Sequence, residues 1–193
     1  MVSSSQEDSR LVARCQDGDL EAFNQLVLKY QDRVLDTVYR MVGSLEDAED
    51  LAQECFVRAF QAIGEFRGQS SFYTWLFRIA VNGALSQRRR AARRRRHVAG
   101  RYETPEDLGP AAVDAGAAEP IDGVEQEEQR AAVIGALRRL DPEQRAVIVL
   151  KDIEGADYAQ MAEILQCPRG TVKSRLHRAR QALKAELSRA MRA

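Results

Sequence analysis

Apolar residues recur at helical spacing through the first part of the chain. The first stripe predicts a long amphipathic helix ended by Gly43, and it comprises Leu20, Phe23, Val27, Tyr30, Val34, Val38 and Met41. Ser44, with Asp47 three positions later, resembles a capping box for the next helix. The apolar side of that second helix comprises Ala48, Ala52, Cys55, Ala59 and Ile63.

A third long helix is predicted to begin near Phe72, after a turn between Gly64 and Gly68. Its N-cap is either Ser70 or Ser71. The residues expected to point inward are Phe72, Leu76 and Ile79. Strand-like alternation is absent throughout the sequence, so the pattern indicates an all-α protein.

The segment 102–124 separates this helical part from a second one. It is rich in Ala, Gly, Pro and acidic residues and has no apolar period. Beyond it, Asp141 followed by Pro142 predicts a helix start, Asp157 caps a short helix, and a last helix begins near Arg169. The sequence therefore predicts two small helical domains, residues 8–97 and 125–193, joined by a flexible acidic linker over 98–124.

Charge is segregated although the chain carries 29 basic and 29 acidic side chains. Residues 88–101 carry +8, residues 102–129 carry −9, and residues 165–193 carry +7. Two basic blocks separated by an acidic spacer suggest a polyanionic partner, of which nucleic acid is the commonest. Solvated faces and a disordered basic tract are the alternative interpretation.

The last two predicted helices have the spacing of a helix-turn-helix, and Val172 and Leu176 anchor the second of them. In that motif the N-terminal part of the second helix enters the major groove. The candidate DNA-binding residues there are Arg169, Thr171, Lys173, Ser174, Arg175, His177 and Arg178. Four of them share one face: Lys173, Ser174, His177 and Arg178. Arg175 and Arg180 are expected at phosphates or in solvent, and a helical hairpin that only packs is the alternative.

Five of the twelve aromatic residues fall in one short segment, at Phe66, Phe72, Tyr73, Trp75 and Phe77. Phe72 fits the core, whereas Tyr73 and Phe77 are expected on a neighbouring flank. A polar ridge at i, i+4, i+8 spacing follows and comprises Arg78, Asn82, Ser86 and either Arg89 or Arg90. Aromatic rings beside a basic ridge suit single-stranded DNA. Core packing is the alternative for each aromatic residue.

An acidic face on the second helix comprises Asp47, Asp50 and Glu54, with Gln53 beside it. Acidic residues near a helix N-terminus stabilise the helix, and Glu54 can pair with Arg58 at i, i+4 spacing. Since acids should face away from DNA, this surface is also available to a basic protein partner.

Several functional classes find no support in the sequence. There is no membrane-length apolar stretch and no signal-peptide core, so the protein is expected to be cytoplasmic. No phosphate-binding loop, dinucleotide fingerprint or zinc-protease motif is present, and the only histidines are His97 and His177. We therefore expect no catalytic residues, no metal and no cofactor.

Three runs, at 47–60, 66–82 and 167–180, together resemble bacterial sigma factors of the extracytoplasmic-function (ECF) group. The resemblance implies a factor that binds core RNA polymerase. Its C-terminal domain would recognise the promoter minus-35 element, and its N-terminal domain would melt and read the minus-10 element. It also implies an anti-sigma factor as partner and a linker that threads toward the RNA exit path of the polymerase.

The resemblance assigns roles by motif position. Residues implied to dock the polymerase clamp helices are Asp47, Asp50, Gln53, Glu54 and Arg58. Residues implied in minus-10 recognition are Phe66, Arg67, Ser70, Ser71, Tyr73, Trp75, Arg78, Asn82 and Ser86, with the loop 66–71 capturing a flipped non-template base. The last helix would read the minus-35 element.

Two rival functions stay open at this point. A stand-alone helix-turn-helix regulator explains the C-terminal domain but gives no role to the acidic face or the aromatic loop. A charged helical interaction module would leave both basic blocks without a function.

Overall fold

The computed structural model describes residues 4–99 and 124–190, with side chains described at 5–90 and 132–190. These residues form eight α-helices and no strand: α1 Ser4–Gln16, α2 Leu20–Val42, α3 Leu45–Ala62, α4 Phe72–Ala99, α5 Val124–Arg139, α6 Pro142–Ile148, α7 Tyr158–Ile164 and α8 Arg169–Ala190. The predicted all-α class is confirmed. The predicted linker lies outside the described residues except for its ends, which belong to α4 and α5.

Predicted caps define the helices of the first domain, α1–α4. Gly43 ends α2 in the left-handed conformation at φ 84°, and its N–H donates to the carbonyl of Tyr39 at 2.7 Å. Ser44 Oγ accepts from the N–H of Asp47 at 3.3 Å and starts α3. The carboxylate of Asp47 does not complete a capping box, because it accepts from Gln87 Nε2 at 3.0 Å.

Most of the predicted apolar stripe of α2 is buried, but the placement of Leu20 is wrong. Leu20 is 63% exposed, since it lies at the first position of α2, beyond the elements that cover the rest of the stripe. The apolar side of α3 is buried as predicted: Ala48, Ala52, Cys55, Ala59 and, just beyond the helix, Ile63.

Helix α4 is buried over a wider arc than one stripe. Of the two predicted caps, Ser71 is the one that forms, with its Oγ accepting from the N–H of Thr74 at 3.1 Å. Phe77 is fully buried, so its expected flank position is wrong, and Ile79 is only partly buried. The physical reason is that α4 packs against α2, α3 and α7 together, which leaves little of its first half in solvent.

The second domain, α5–α8, ends in the predicted helix-turn-helix. Asp141 caps α6 with Pro142 at its first turn, and the last turn widens into a π-helical segment over Val149–Ile153. Asp157 begins α7 with a complete capping box. Val172 and Leu176 anchor α8 in the core.

The two domains contact each other through polar groups. Glu154 accepts from Thr37 Oγ1 and from Arg33 Nη2, each at 2.8 Å. The fully buried guanidinium of Arg145 donates to the carbonyls of Leu137 at 2.5 Å and Met41. Burial lowers the pKa of Arg145 to about 9, so the side chain stays protonated at neutral pH.

Candidate nucleic-acid interface

A polar pocket of about 320 Å³ lies between the end of α3 and the start of α4. The short 3₁₀ turn Ile63–Glu65 leads into the loop, and Ser71 then begins α4. The pocket is lined by Glu65, Phe66, Arg67, Gln69, Ser70, Trp75, Arg78 and, from α7, Glu163. Five residues that the sequence predicts for single-stranded DNA are therefore neighbours: Phe66, Arg67, Ser70, Trp75 and Arg78.

The aromatic wall of this pocket is firmly packed. The ring centroid of Phe66 lies 5.1 Å from that of Trp75 and 6.3 Å from that of Phe72. Trp75 is only 9% exposed. These rings can line a pocket for a planar base, but Trp75 lacks the exposure needed to intercalate between base pairs.

Tyr73 lies at a second polar pocket, of about 410 Å³, between the domains. Its ring centroid is 4.2 Å from that of Phe77, and the guanidinium of Arg33 covers it at 4.9 Å. The Tyr73 hydroxyl is buried and has no hydrogen-bond partner among the described residues. Burial, reinforced by the charge of Glu154, raises the pKa of Tyr73 to about 12, so its hydroxyl remains protonated.

The predicted ridge of Arg78, Asn82 and Ser86 follows along α4. All three side chains are partly exposed and lie at i, i+4, i+8 positions. Arg78 also lines the pocket between α3 and α4, whereas Asn82 and Ser86 lie further along the helix. The ridge thus leads from the pocket toward the basic segment that begins at residue 88.

Helix α8 presents an exposed basic face. Arg169, Lys173, Ser174, His177 and Arg178 are exposed, and Thr171 is partly exposed. The ammonium of Lys173 lies 5.5 Å from the centre of the Tyr158 ring. Arg175 differs from these residues, because it pairs with Glu143 of α6 at 2.9 Å.

Arg180 makes a bidentate ion pair with Asp152, with contacts of 2.5 and 3.1 Å. Both Arg175 and Arg180 therefore have protein partners in this structure.

The acidic face of α3 is exposed at Asp47, Asp50, Gln53, Glu54 and Arg58. Glu54 and Arg58 pair at 2.6 Å, as their spacing predicts. An apolar groove of about 660 Å³ adjoins this face and lies between α2 and α3.

The groove was missed at the sequence level. Its apolar lining comprises Phe23, Val27, Leu35, Ala52, Phe56, Val57 and Phe60, and its polar lining comprises Gln31, Asp32, Glu49, Gln53 and Gln61. Val57 is 49% exposed and Phe60 47% exposed. The sequence does contain a pattern that indicates this groove. Phe56, Val57 and Phe60 form a short apolar run beside the acidic residues.

Metal sites and membrane-spanning helices are both absent from the described residues. The described side chains include no group of three or more His, Cys, Asp or Glu placed to hold a metal ion. None of the helices in the described ranges has the length and apolar character needed to cross a membrane.

Comparison with known proteins gives two family matches in the expected order. The family described as sigma-70 region 2 matches residues 26–94, and the family described as sigma-70 region 4 matches residues 130–183. The chain is 38% identical over 199 residues to the RNA polymerase sigma-H factor of Pseudomonas aeruginosa, which covers 98% of each protein. The chain belongs to the sigma-70 family, in its ECF group.

Other relatives agree with this assignment. The sigma factor is 38% identical over 192 residues to the ECF RNA polymerase sigma-E factor of Escherichia coli, covering 94% of this chain and 95% of that one. Its structure is similar to CnrH in complex with the cytosolic domain of CnrY, with a TM-score of 0.67, 26% identity and coverage of 94% and 97%. It is also similar to the sigma factor RpoE in complex with the anti-sigma factor NepR from Bartonella quintana, with a TM-score of 0.64, 28% identity and coverage of 86% and 96%.

The family settles the choice among the three functions. A sigma factor binds core RNA polymerase, directs it to specific promoters and helps to open them. The stand-alone regulator is not favoured, because it would need only the helix-turn-helix domain. In this chain the first domain also matches a sigma factor family, region 2.

Proposed function

We propose that this sigma factor divides promoter recognition between two surfaces. The pocket at the start of α4 takes a base flipped from the minus-10 element, and the exposed face of α8 reads the minus-35 duplex. The observation that carries the proposal is the pocket itself, where Phe66 and Trp75 supply aromatic walls and Arg67 and Arg78 supply charge. A flipped base needs a π-face, and its phosphates need a cation.

Along α4, Asn82 and Ser86 are proposed to contact the bases next to the flipped one. Their side chains lie on the same helix face as Arg78 and are partly exposed. Tyr73 is proposed to support strand separation from the neighbouring pocket, where its hydroxyl can donate. Ser71 contributes as the helix cap that ends the loop.

In α8, the proposed base-reading residues are Lys173, Ser174, His177 and Arg178, with Arg169 and Thr171 at the helix start. Their exposure supports this role, since side chains at the start of a recognition helix reach base edges. Arg175 is proposed to contact a phosphate only after its ion pair with Glu143 exchanges for the DNA.

The surface proposed to bind polymerase joins the acidic face of α3 to the apolar groove beside it. Gln53 belongs to both, and acidic Asp32 and Glu49 line the groove. A basic amphipathic helix fits such a surface, because its apolar side fills the groove while its cations meet the acidic residues. The clamp helices of the polymerase are the proposed occupant.

Three further parts of the proposal rest on the family. The chain acts in the cytoplasm, where its polymerase lies. It contributes binding energy and catalyses no reaction itself. An anti-sigma factor controls it, as suggested by the similarity to a sigma factor in complex with the anti-sigma factor NepR.

Run-off transcription with core polymerase on genomic fragments tests whether the two surfaces recognise two different promoter elements. Transcripts that depend on this chain and share two upstream elements should appear. Phe66→Ala and Asn82→Ala should weaken promoter opening more than polymerase binding, whereas Lys173→Ala and Arg178→Ala should weaken the upstream footprint by about tenfold each.

Asn24→Ala on α2 and Lys184→Ala in the later part of α8 serve as matched controls. Equal loss of polymerase binding by Phe66→Ala and Asn82→Ala would reject the pocket assignment. Unchanged footprints for Lys173→Ala and Arg178→Ala would reject the reading face.

A further inference from the structure

Gln16, the last residue of α1, contacts the segment that leads into the base pocket. Its Nε2 donates to the carbonyl of Ile63 at 3.0 Å and to the carbonyl of Phe66 at 2.8 Å. An amide NH₂ has two hydrogens, so both are used. Ile63 starts the 3₁₀ turn after α3, and Phe66 is the first aromatic residue of the pocket wall.

The loop has few other anchors. Phe66 N–H donates to the carbonyl of Ile63 at 3.1 Å, and Ser71 caps α4 at the far end. Among the described residues, Arg67 to Ser70 make no hydrogen bond to another element. The position of the loop therefore depends on its two ends, and Gln16 holds the first of them.

Helix α1 is itself a firm support for Gln16. Asp8 is 4% exposed and accepts from Tyr30 Oη and from Lys29 Nζ, each at 2.6 Å. Leu11 and Val12 are buried against the rest of the domain. A side chain on such a support can hold a loop in one place, which is what a preorganised binding site requires.

The hydrogen bonds of Gln16 also affect the position of the Phe66 ring, which lines the pocket. The Phe66 backbone is held by Gln16, while the Phe66 ring packs on Trp75 at 5.1 Å. With the backbone and the ring both held, the aromatic wall of the pocket keeps its position.

We infer that Gln16 is a positioning residue for promoter opening and that α1 belongs to the minus-10 reading apparatus. This inference rests on the proposed function of the pocket. It adds to the region 2 family match, which begins at residue 26 and leaves α1 out.

The test compares Gln16 variants of the full chain, assembled with core polymerase, on a promoter found by run-off transcription. Gln16→Leu removes the donor and leaves an apolar side chain that is one atom shorter. It should slow formation of the open complex, measured by permanganate reactivity of thymines, by about fivefold to tenfold. Gln16→Glu, which places a carboxylate against two carbonyl oxygens, should slow it at least as much. Gln16→Lys restores a donor and should recover part of the rate.

Gln6→Leu, on the exposed side of the same helix, is the matched control and should leave opening unchanged. Polymerase affinity should stay at the unsubstituted value for all four variants, because Gln16 lies outside the surface proposed to bind the polymerase. The melting temperature should fall slightly for Gln16→Leu, which loses the two hydrogen bonds to Ile63 and Phe66. A parallel fall in polymerase affinity, or normal opening by Gln16→Leu, would overturn the inference.

Phe66→Ala separates the two proposals. If Phe66→Ala impairs opening and Gln16→Leu does not, the pocket assignment stands and the positioning role fails. If neither variant impairs opening, the pocket assignment fails as well.

Discussion

At the scale of single residues, burial decides the chemistry of the Cys55 thiol. Cys55 lies on the inner side of α3 and is 3% exposed. Its Sγ makes a weak hydrogen bond to the carbonyl of Leu76 at 3.8 Å. Loss of hydration raises the pKa of Cys55 to about 12, with Arg58 lowering it and Glu54 raising it by smaller amounts.

We expect Cys55 to resist alkylation in the folded protein. At pH 8 only about one thiol in ten thousand is ionised when the pKa is 12. Iodoacetamide at pH 8 should modify the partly exposed Cys167 first and Cys55 only after unfolding in urea, as peptide mass spectrometry can show. Reaction of native Cys55 as fast as Cys167 would contradict this expectation.

At the scale of elements, the capping box of α7 fixes the start of the helix-turn-helix. Asp157 Oδ1 accepts from the N–H groups of Ala159 at 2.7 Å and Gln160 at 2.9 Å. Gln160 Oε1 accepts in return from the N–H of Asp157 at 2.9 Å. Because α7 is only seven residues long, its end contributes a large share of its hydrogen bonds.

Asp157→Ala is expected to lower the free energy of unfolding by about 1 kcal/mol, since the backbone N–H groups of Ala159 and Gln160 lose their acceptor. Urea denaturation followed by circular dichroism measures the change. Asp157→Asn keeps an acceptor oxygen and should retain most of the stability. A loss of the same size for both variants would show that the cap is not the cause.

At the scale of the whole molecule, the contact between the domains conflicts with the proposed simultaneous use of a minus-10 and a minus-35 element. Two elements roughly 25 base pairs apart are separated by about 85 Å of duplex. The centres of two touching domains of this size lie roughly 30 Å apart. Glu163 of α7 also lines the pocket proposed to take the flipped base, and its negative charge would repel a phosphate there. If the two surfaces act as proposed, the contact opens before the sigma factor engages both promoter elements.

Glu154→Ala should make that opening easier. The Glu154 side chain is 6% exposed and bonds Thr37 and Arg33 across the contact, so its loss should raise the open fraction about tenfold. Energy transfer between dyes on the two domains measures this fraction. Asp152→Asn is the control, because Asp152 pairs with Arg180 within its own domain. Equal transfer efficiency for Glu154→Ala and the unsubstituted chain would count against the expected opening.

Local features of the sequence predicted local features of the structure. Gly43, Ser44, Asp141 and Asp157 act as caps because capping depends on neighbours within a few residues. Phe77 was misplaced because its burial depends on helices distant in sequence. The same holds for the candidate site: motif positions gave the pocket residues, but Gln16 touches Phe66 across 50 positions, and no local pattern encodes that contact.

Arg145 makes the contact between the domains depend on the length of α2. Its partner on α2 is the backbone carbonyl of Met41, near the end of a 23-residue helix, rather than any side chain. Substitutions on the surface of α2 leave that carbonyl in place. A single inserted residue, by contrast, would turn it by about 100° and shift it by about 1.5 Å. The contact with the second domain therefore depends on the residue at which α2 ends. We expect it to tolerate substitutions on the surface of α2 but not insertions or deletions within this helix.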